Sequence, residues 1–402
     1  MRTRVGVELS PLSCRIVELE GALGSSGLTR VRSFDRLARL GVETHARLAA
    51  LHNRDVAVVA WGLRSDQRQL VVSSGSYGRM RREAVAAARD AGLDTRGMVV
   101  DIASTARRRR KRQAVVTALA GMQDLAAILQ RLRRVGARVR SIVTPPLALM
   151  SLARVRDAAP SHLIDVYVAL EETTTALAAI QDDMLIEGRE LAWGYQNEVA
   201  EVRPREDVAA TLARELDAFF EACGFGRSSV AQIAVCGGLP GLRNMAMSLM
   251  QRMDIEVEPL DSLSGIDEDA LMAEAFRDHA ADLRVAWVVA ADWHAPINLL
   301  RERDRRQRQT VRGAAAVAAG VVAGPALLWT MFRRDSGPPN PPAHNRRRRR
   351  RRRRLGRRPL RPFRSRLFRF SLRILEMTRP PMSDRHRLAR SRRRRVLPAS
   401  VR

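Results

Sequence analysis

Lysine is almost absent from this chain: Lys111 is the single one among 71 basic residues, the rest being arginine. Such one-sided usage, with abundant Ala and Val, fits a very GC-rich coding sequence, so arginine richness by itself does not argue for phosphate binding. Cysteine is nearly missing too. Cys14, Cys223 and Cys236 are scattered, odd in number and without a C-x-x-C, which excludes a disulfide framework or a cysteine zinc site and suggests buried thiols in a reducing compartment. The seven His form no ligand pair at helical spacing, and this argues against a metal enzyme. Aromatics make up only 4%. The N-terminal residues 1–6 have no apolar stretch, so no cleavable secretory signal is expected.

Negative charge is missing from one region only. Residues 333–402 hold 27 Arg against Asp335, Glu376 and Asp384. The formal charge of +28 therefore belongs to the tail, and residues 1–332 are near balance. The tail includes nine consecutive arginines at 346–354 and little apolar periodicity, so disorder is expected. Its abrupt onset near Gly337 reads as the product of a shifted reading frame. Ahead of it, residues 313–332 form a run of twenty without a charge. That matches the ~20 residues a helix needs to cross a ~30 Å hydrocarbon core. Gly320 and Gly324 make a G-x-x-x-G pair for close helix packing, and Trp329 fits an interfacial anchor. The expectation is one transmembrane helix at 313–332, with residues 1–295 as a globular body on one side.

Within that body, residues 5–9 and 14–19 alternate as two strands around Ser10-Pro11-Leu12-Ser13, a hairpin. Residues 55–61 and 97–101 read as further strands, and 79–92 and 125–135 as helices. Strand-like 139–143 leads into Pro145-Pro146, expected as a turn. The pattern then restarts: a strand at 162–168, a second at 173–181, and Asp182-Asp183 turning into Met184. Residues 207–223 place Val208, Leu212, Leu216, Phe219 and Cys223 on one helical stripe. A buried strand at 232–236 runs into Gly237-Gly238-Leu239-Pro240-Gly241, and a helix opens near Leu242. Each half thus begins with a strand, turn, strand unit carrying an acid in its first strand, Glu8 or Asp165. Two related subdomains facing a cleft are expected, at 1–160 and 161–295. The basic run 107–112 lacks interleaved aromatics and is expected as a solvated loop, and nucleic acid is not expected as a partner.

These residues resemble the actin-like superfamily (the RNase H fold), and more narrowly PilM of type IV pilus assembly. The resemblance rests on Gly6-Val7-Glu8-Leu9-Ser10-Pro11-Leu12-Ser13, on Val17-Glu18-Leu19 and on the Gly237-Gly238 turn. Ile297-Asn298-Leu299-Leu300, followed by basic residues 301–312 and an apolar run, resembles the start of PilN, the membrane partner of PilM. An actin-like domain and a membrane helix in one chain is the order of GspL in type II secretion. The implied fold is α/β, with an actin-like two-subdomain cytoplasmic region.

The resemblance also implies a nucleotide site built from Glu8, Ser10, Ser13, Asp165, Gly237, Gly238 and Gly241. Its phosphate loops are degenerate: Ser10 and Tyr167 stand where glycines are expected, and Pro11 has no N–H to offer. ATP and magnesium are therefore not assigned as cofactors, and hydrolysis is not expected. Ile297, Asn298, Leu299 and Leu300 are expected to dock in a groove of an actin-like domain, with Asn298 fixing register. The five residues after Ala291 reach only about 17–20 Å, so docking is in cis if the groove is near, and into a neighbour if it is far. The implied role is a non-catalytic scaffold, single-pass in a bacterial inner membrane, that links a motor ATPase to pilus or secretion platform proteins and forms a homodimer. The alternatives are an ATP-binding FtsA-like division protein and a sugar-kinase-like enzyme.

Overall fold

The computed structural model describes residues 3–20, 28–38, 41–109, 112–156, 162–269 and 271–300. The chain opens with β1 (Thr3–Leu9), β2 (Ser13–Glu20) and β3 (Arg30–Ala38), then α1 (Val42–Ala49) and β4 (Asp55–Ala60). Next come β5 (Ser65–Ser73), α2 (Tyr77–Asp90), β6 (Met98–Arg109), β7 (Arg112–Gly121), α3 (Met122–Arg134), β8 (Arg138–Val143) and α4 (Pro145–Arg156). The second half holds β9 (Ile164–Leu170), β10 (Thr175–Gln181), β11 (Met184–Leu191), α5 (Arg205–Cys223) and β12 (Val230–Gly237). It ends with α6 (Leu242–Met253), β13 (Glu256–Pro259), α7 (Ala273–Arg277) and α8 (Ala280–Ala291).

Two sheets result. One has the order β3-β2-β1-β4-β8, the other β13-β12-β9-β10-β11-β5-β7-β6. In each, an antiparallel hairpin (β1–β2 or β9–β10) lies beside a parallel strand, β4 in the first and β12 in the second. Strands β5 to β7 follow β4 in the chain yet extend the second sheet, joined to β11 by two residue pairs only, Glu187 with Arg68 and Gly188 with Gln67.

Helices α4 and α8 touch both sheets and each other. Their composition explains this place. Residues 145–153 of α4 and 282–291 of α8 are all buried; apart from Ser151 in α4 and Asp282 and Arg284 in α8 they are apolar, and a helix apolar nearly all round has no face to offer water. The backbone of α8 lies so close to β1 that a Cβ on Gly6 would stand 1.9 Å from the Ala286 carbonyl oxygen. Gly6, whose sequence context suggested a phosphate loop, is thus needed for helix-on-strand contact. The amphipathic stripe of α5 packs with α6 over the second sheet, in a separate core with Phe219, Met245 and Leu249. Helix α2 covers β5–β7 through Met80, Ala84 and Ala88.

Two local expectations are corrected. Pro145-Pro146 opens a helix instead of making a turn, since proline lacks only an N–H that the first helical turn leaves unpaired. Of the basic run expected as a loop, residues 107–109 end β6 and Arg112 opens β7, with Arg109 paired to Arg112; residues 110 and 111 lie outside the described residues. Asp182 and Asp183 make the expected tight turn, with φ of 50° and 59°, the left-handed pair of a two-residue hairpin. Among the described residues, no helix is long and apolar enough to cross a membrane. The expected span 313–332, with Gly320 and Gly324, and the tail 333–402 lie outside the described residues.

Candidate functional site

The two hairpin turns, residues 10–12 and 171–174, meet at one side chain, Arg15 on β2. Only 2% of Arg15 is exposed, and its guanidinium reaches four carboxylates from three separate elements. Glu171 lies at 2.5 Å, Asp282 at 2.6 Å, Glu8 at 3.7 Å and Glu172 at 3.8 Å. Arg15 Nε also donates to Asp282 Oδ1 at 2.8 Å. Asp282, in the first turn of α8, pairs on its other side with the half-exposed Arg36. Glu8 is fully buried and accepts a hydrogen bond from the Trp61 indole N–H at 2.8 Å.

Burial dominates the electrostatics. It pushes the Glu8 carboxyl up to about 7, against the pull of Arg15 and the Trp61 hydrogen bond, with Asp282 and Glu172 pushing the same way as burial. Burial likewise raises Glu171 well above the usual carboxylate range, opposed by Arg15 and reinforced by Glu8, Glu172 and Asp282. Arg15 itself is raised by Glu171, Glu8 and Asp282, which outweigh the burial that would lower it. Four acids thus surround one buried cation, and burial favours the protonated form of two of them.

The first hairpin closes on itself. Ser10 N–H donates to the Ser13 carbonyl at 3.0 Å, and Ser13 N–H donates to Ser10 Oγ at 2.9 Å. Ser13 Oγ accepts from Arg15 at 3.0 Å. With Pro11 between them, the turn spends on itself the backbone donors that a phosphate cradle uses. In the second hairpin the turn carries Glu171 and Glu172, whose carbonyls accept from Tyr195 and Gln196 N–H.

Asp165, expected to share a nucleotide site with Glu8, is not part of this cluster. It sits at the start of β9 opposite Ile180 and Gln232. The turn begins six residues on, about 20 Å away along an extended strand. Half-buried, Asp165 is raised by burial while a hydrogen bond from Gln232 opposes the shift. The cleft acids of the second half are Glu171 and Glu172, and the sequence marked them as the residues between two strand patterns.

Gly237 ends β12 with φ 123°, and a Cβ there would stand 2.0 Å from the Leu170 carbonyl oxygen. The space above Gly238 is filled: Asp282 Oδ1, Tyr195 Oη and Arg15 Nη2 lie 2.7, 3.1 and 3.3 Å from where its Cβ would be. Gly241, with φ 71°, precedes α6 and lies against Arg205. An open groove of about 500 Å³ beside these glycines is lined by Arg36, Arg243, Arg277, Asp261 and His279. The residues present do not fit the phosphates of a nucleotide. Four carboxyl groups occupy the space between the two hairpins, and the one central cation, Arg15, is already engaged by them.

The Ile297–Leu300 tetrad is the second site, and it lies on its own domain. Ile297, Leu299 and Leu300 are buried and belong to the main core. Asn298 acts as an extra strand residue at the edge of β8. Its Oδ1 accepts from Ile142 N–H at 3.2 Å, and its Nδ2 donates to the Arg140 carbonyl at 2.9 Å. Leu299 N–H then donates to the Ile142 carbonyl at 3.0 Å. From β6, Asp101 Oδ2 accepts the Asn298 N–H at 2.8 Å. The tetrad thereby joins β8 of the first sheet to β6 of the second. The globular body, expected to end at residue 295, continues as core through residue 300.

No protein-family model and no curated protein sequence matches this chain. Solved structures do match it by fold. A chain of a PilM–PilN type IV pilus biogenesis complex superposes with a TM-score of 0.58 at 18% identity, covering 71% of this chain and 97% of that one. The cytoplasmic domain of EpsL, an inner membrane component of the type II secretion system of Vibrio cholerae, gives 0.41 at 12% identity, covering 74% and 98%. This chain has a PilM-like, actin-like fold.

Proposed function

We propose that this chain is a nucleotide-independent scaffold of a type IV pilus or type II secretion platform, held to the bacterial inner membrane by residues 313–332. The observation that carries this reading is the tetrad on β8. A PilM-like domain and a PilN-like peptide are combined in one chain, and the peptide occupies its groove in cis. The solved relative with the better superposition is itself a PilM–PilN complex, which supports the same pairing. The Arg15 cluster supplies the other half of the argument. In an actin-like cleft, a nucleotide with its metal would bridge the two hairpins; here Arg15, Glu8, Glu171 and Asp282 bridge them. A body braced in this way transmits position and needs no chemical cycle.

On this reading the scaffold meets a cytoplasmic motor ATPase and other platform proteins, and it dimerises through domain and membrane helix. Deleting the gene in its own bacterium is expected to abolish pili or secretion. Wild type and Glu8→Gln should restore the phenotype, and a chain ending at residue 300 should not. Titration of the full chain with magnesium-ATP should give no binding heat. Magnesium-dependent phosphate release that disappears in Glu8→Gln would overturn the scaffold reading in favour of an ATP-using enzyme.

A further inference from the structure

A group of arginine side chains on α3 and β8 is used by neither site. Residues 125–156 contain seven Arg and neither Asp nor Glu, in a region otherwise near charge balance. Helix α3 turns Leu125, Leu129 and Leu132 inward, so Arg131, Arg133 and Arg134 in its last turn are exposed. None of the three has an ion-pair partner among the described residues. Arg138 and Arg140 continue the exposed series on β8, and Arg140 pairs with Asp55 at 2.8 Å. A helix C-terminus favours a basic residue in its last turn. That accounts for one arginine, not for five exposed ones within ten residues of chain.

The route of the chain gives this surface an orientation. Asn298 and Leu299 are bonded to β8 itself, the strand that follows α3 and packs with it. The next residues, 301–312, carry six Arg and lead into the uncharged run. Twelve residues span at most about 40 Å when extended, so a tether leaving β8 keeps that side of the domain close to whatever holds residue 313. Charge and point of departure select the same partner.

We propose that the last turn of α3 and the exposed arginines of β8 form a surface that rests on the anionic headgroups of a lipid bilayer. The inference builds on the reading of 313–332 as a membrane tether. Each basic residue beside an anionic leaflet contributes roughly fivefold to the local equilibrium, within about a Debye length. The arginine-rich tail would dominate any measure of total binding, so the test reads α3 alone.

The full chain carrying Gln130→Cys, an exposed position on α3, is labelled with a donor fluorophore. It is reconstituted into vesicles of phosphatidylcholine, or of phosphatidylcholine and phosphatidylglycerol in equal parts, with an acceptor on the headgroups. Energy transfer should be at least several-fold stronger with phosphatidylglycerol and should fall as salt rises. Arg131→Glu/Arg133→Glu/Arg134→Glu should lose that gain, and the matching Gln variants should fall between. Equal transfer from both vesicles, or transfer unchanged in the Glu variant, overturns the proposal. Flotation with phosphatidylcholine vesicles at high salt reads the tether separately. Loss of flotation with retained lipid-dependent transfer removes the tether and leaves the surface; the reverse result removes the surface and leaves the tether.

Discussion

The cleft and the tetrad groove do the same job by opposite chemistry. Each joins segments far apart in the chain across the boundary between the two sheets. In the cleft the join is ionic: Arg15 meets Asp282, 267 positions away, and the two acids of the second hairpin. At the groove it is apolar, with one amide setting the register: Ile297, Leu299 and Leu300 are buried and Asn298 pairs with β8. The difference decides what each can respond to. Buried charges feel pH and collapse when one partner is lost; packed leucines do neither. The cleft is therefore the conditional join and the groove the constant one.

The sharpest way to break this comparison is Arg15→Met. Removing one partner of a buried ion cluster costs about 3–5 kcal/mol, measured by denaturant unfolding at pH 8. The loss should shrink at pH 5.5, where the acids left behind hold protons. Next in size is Leu299→Ala, expected to cost about 3 kcal/mol through lost contact and a residual cavity, with the same cost at both pH values. A Leu299→Ala cost that tracks pH would show that the two joins are not separate. Asn298→Ala leaves the Ile142 N–H and Arg140 carbonyl without their partner, and about 1–3 kcal/mol is expected.

The smallest effect is the most specific. Glu8 titrates near 7 in the folded chain against its ordinary value of 4.5. Between those values the unfolded chain has lost the proton that the folded chain keeps, so stability falls as pH rises through this window and levels off above it. Glu8→Gln should flatten that slope in a pH series of melting temperatures. An unchanged slope would remove Glu8 as its source.

Local pattern was easy to read. The alternation in β1 and β2 and the stripe of α5 come from residues close in sequence, which periodicity reports directly. The resemblance of Ile297-Asn298-Leu299-Leu300 to a docking peptide likewise used four adjacent residues. The cleft was harder, because its decisive contacts are long-range. Arg15 is one of three charged residues in β2 and Asp282 one of two in α8, yet nothing in either segment names the partner. Asp165 drew attention as an acid in a first strand. The pattern could not show that β9 runs on through Leu170, which leaves Asp165 at the wrong end and carries Glu171 to the cleft. β5 and β13 left little signal because they are half-covered strands whose neighbours are supplied by distant segments, and β7, buried on both faces over residues 115–121, shows no polar alternation.

The seating of Asn298 and Leu299 on β8 has a mechanical consequence. Force applied at residue 301 does not stretch a slack leash; it loads the border of a five-stranded sheet through backbone bonds and buried leucines. A tug from that direction shears β8 along β4 and reaches β1, so the body would register strain where its central helix is packed.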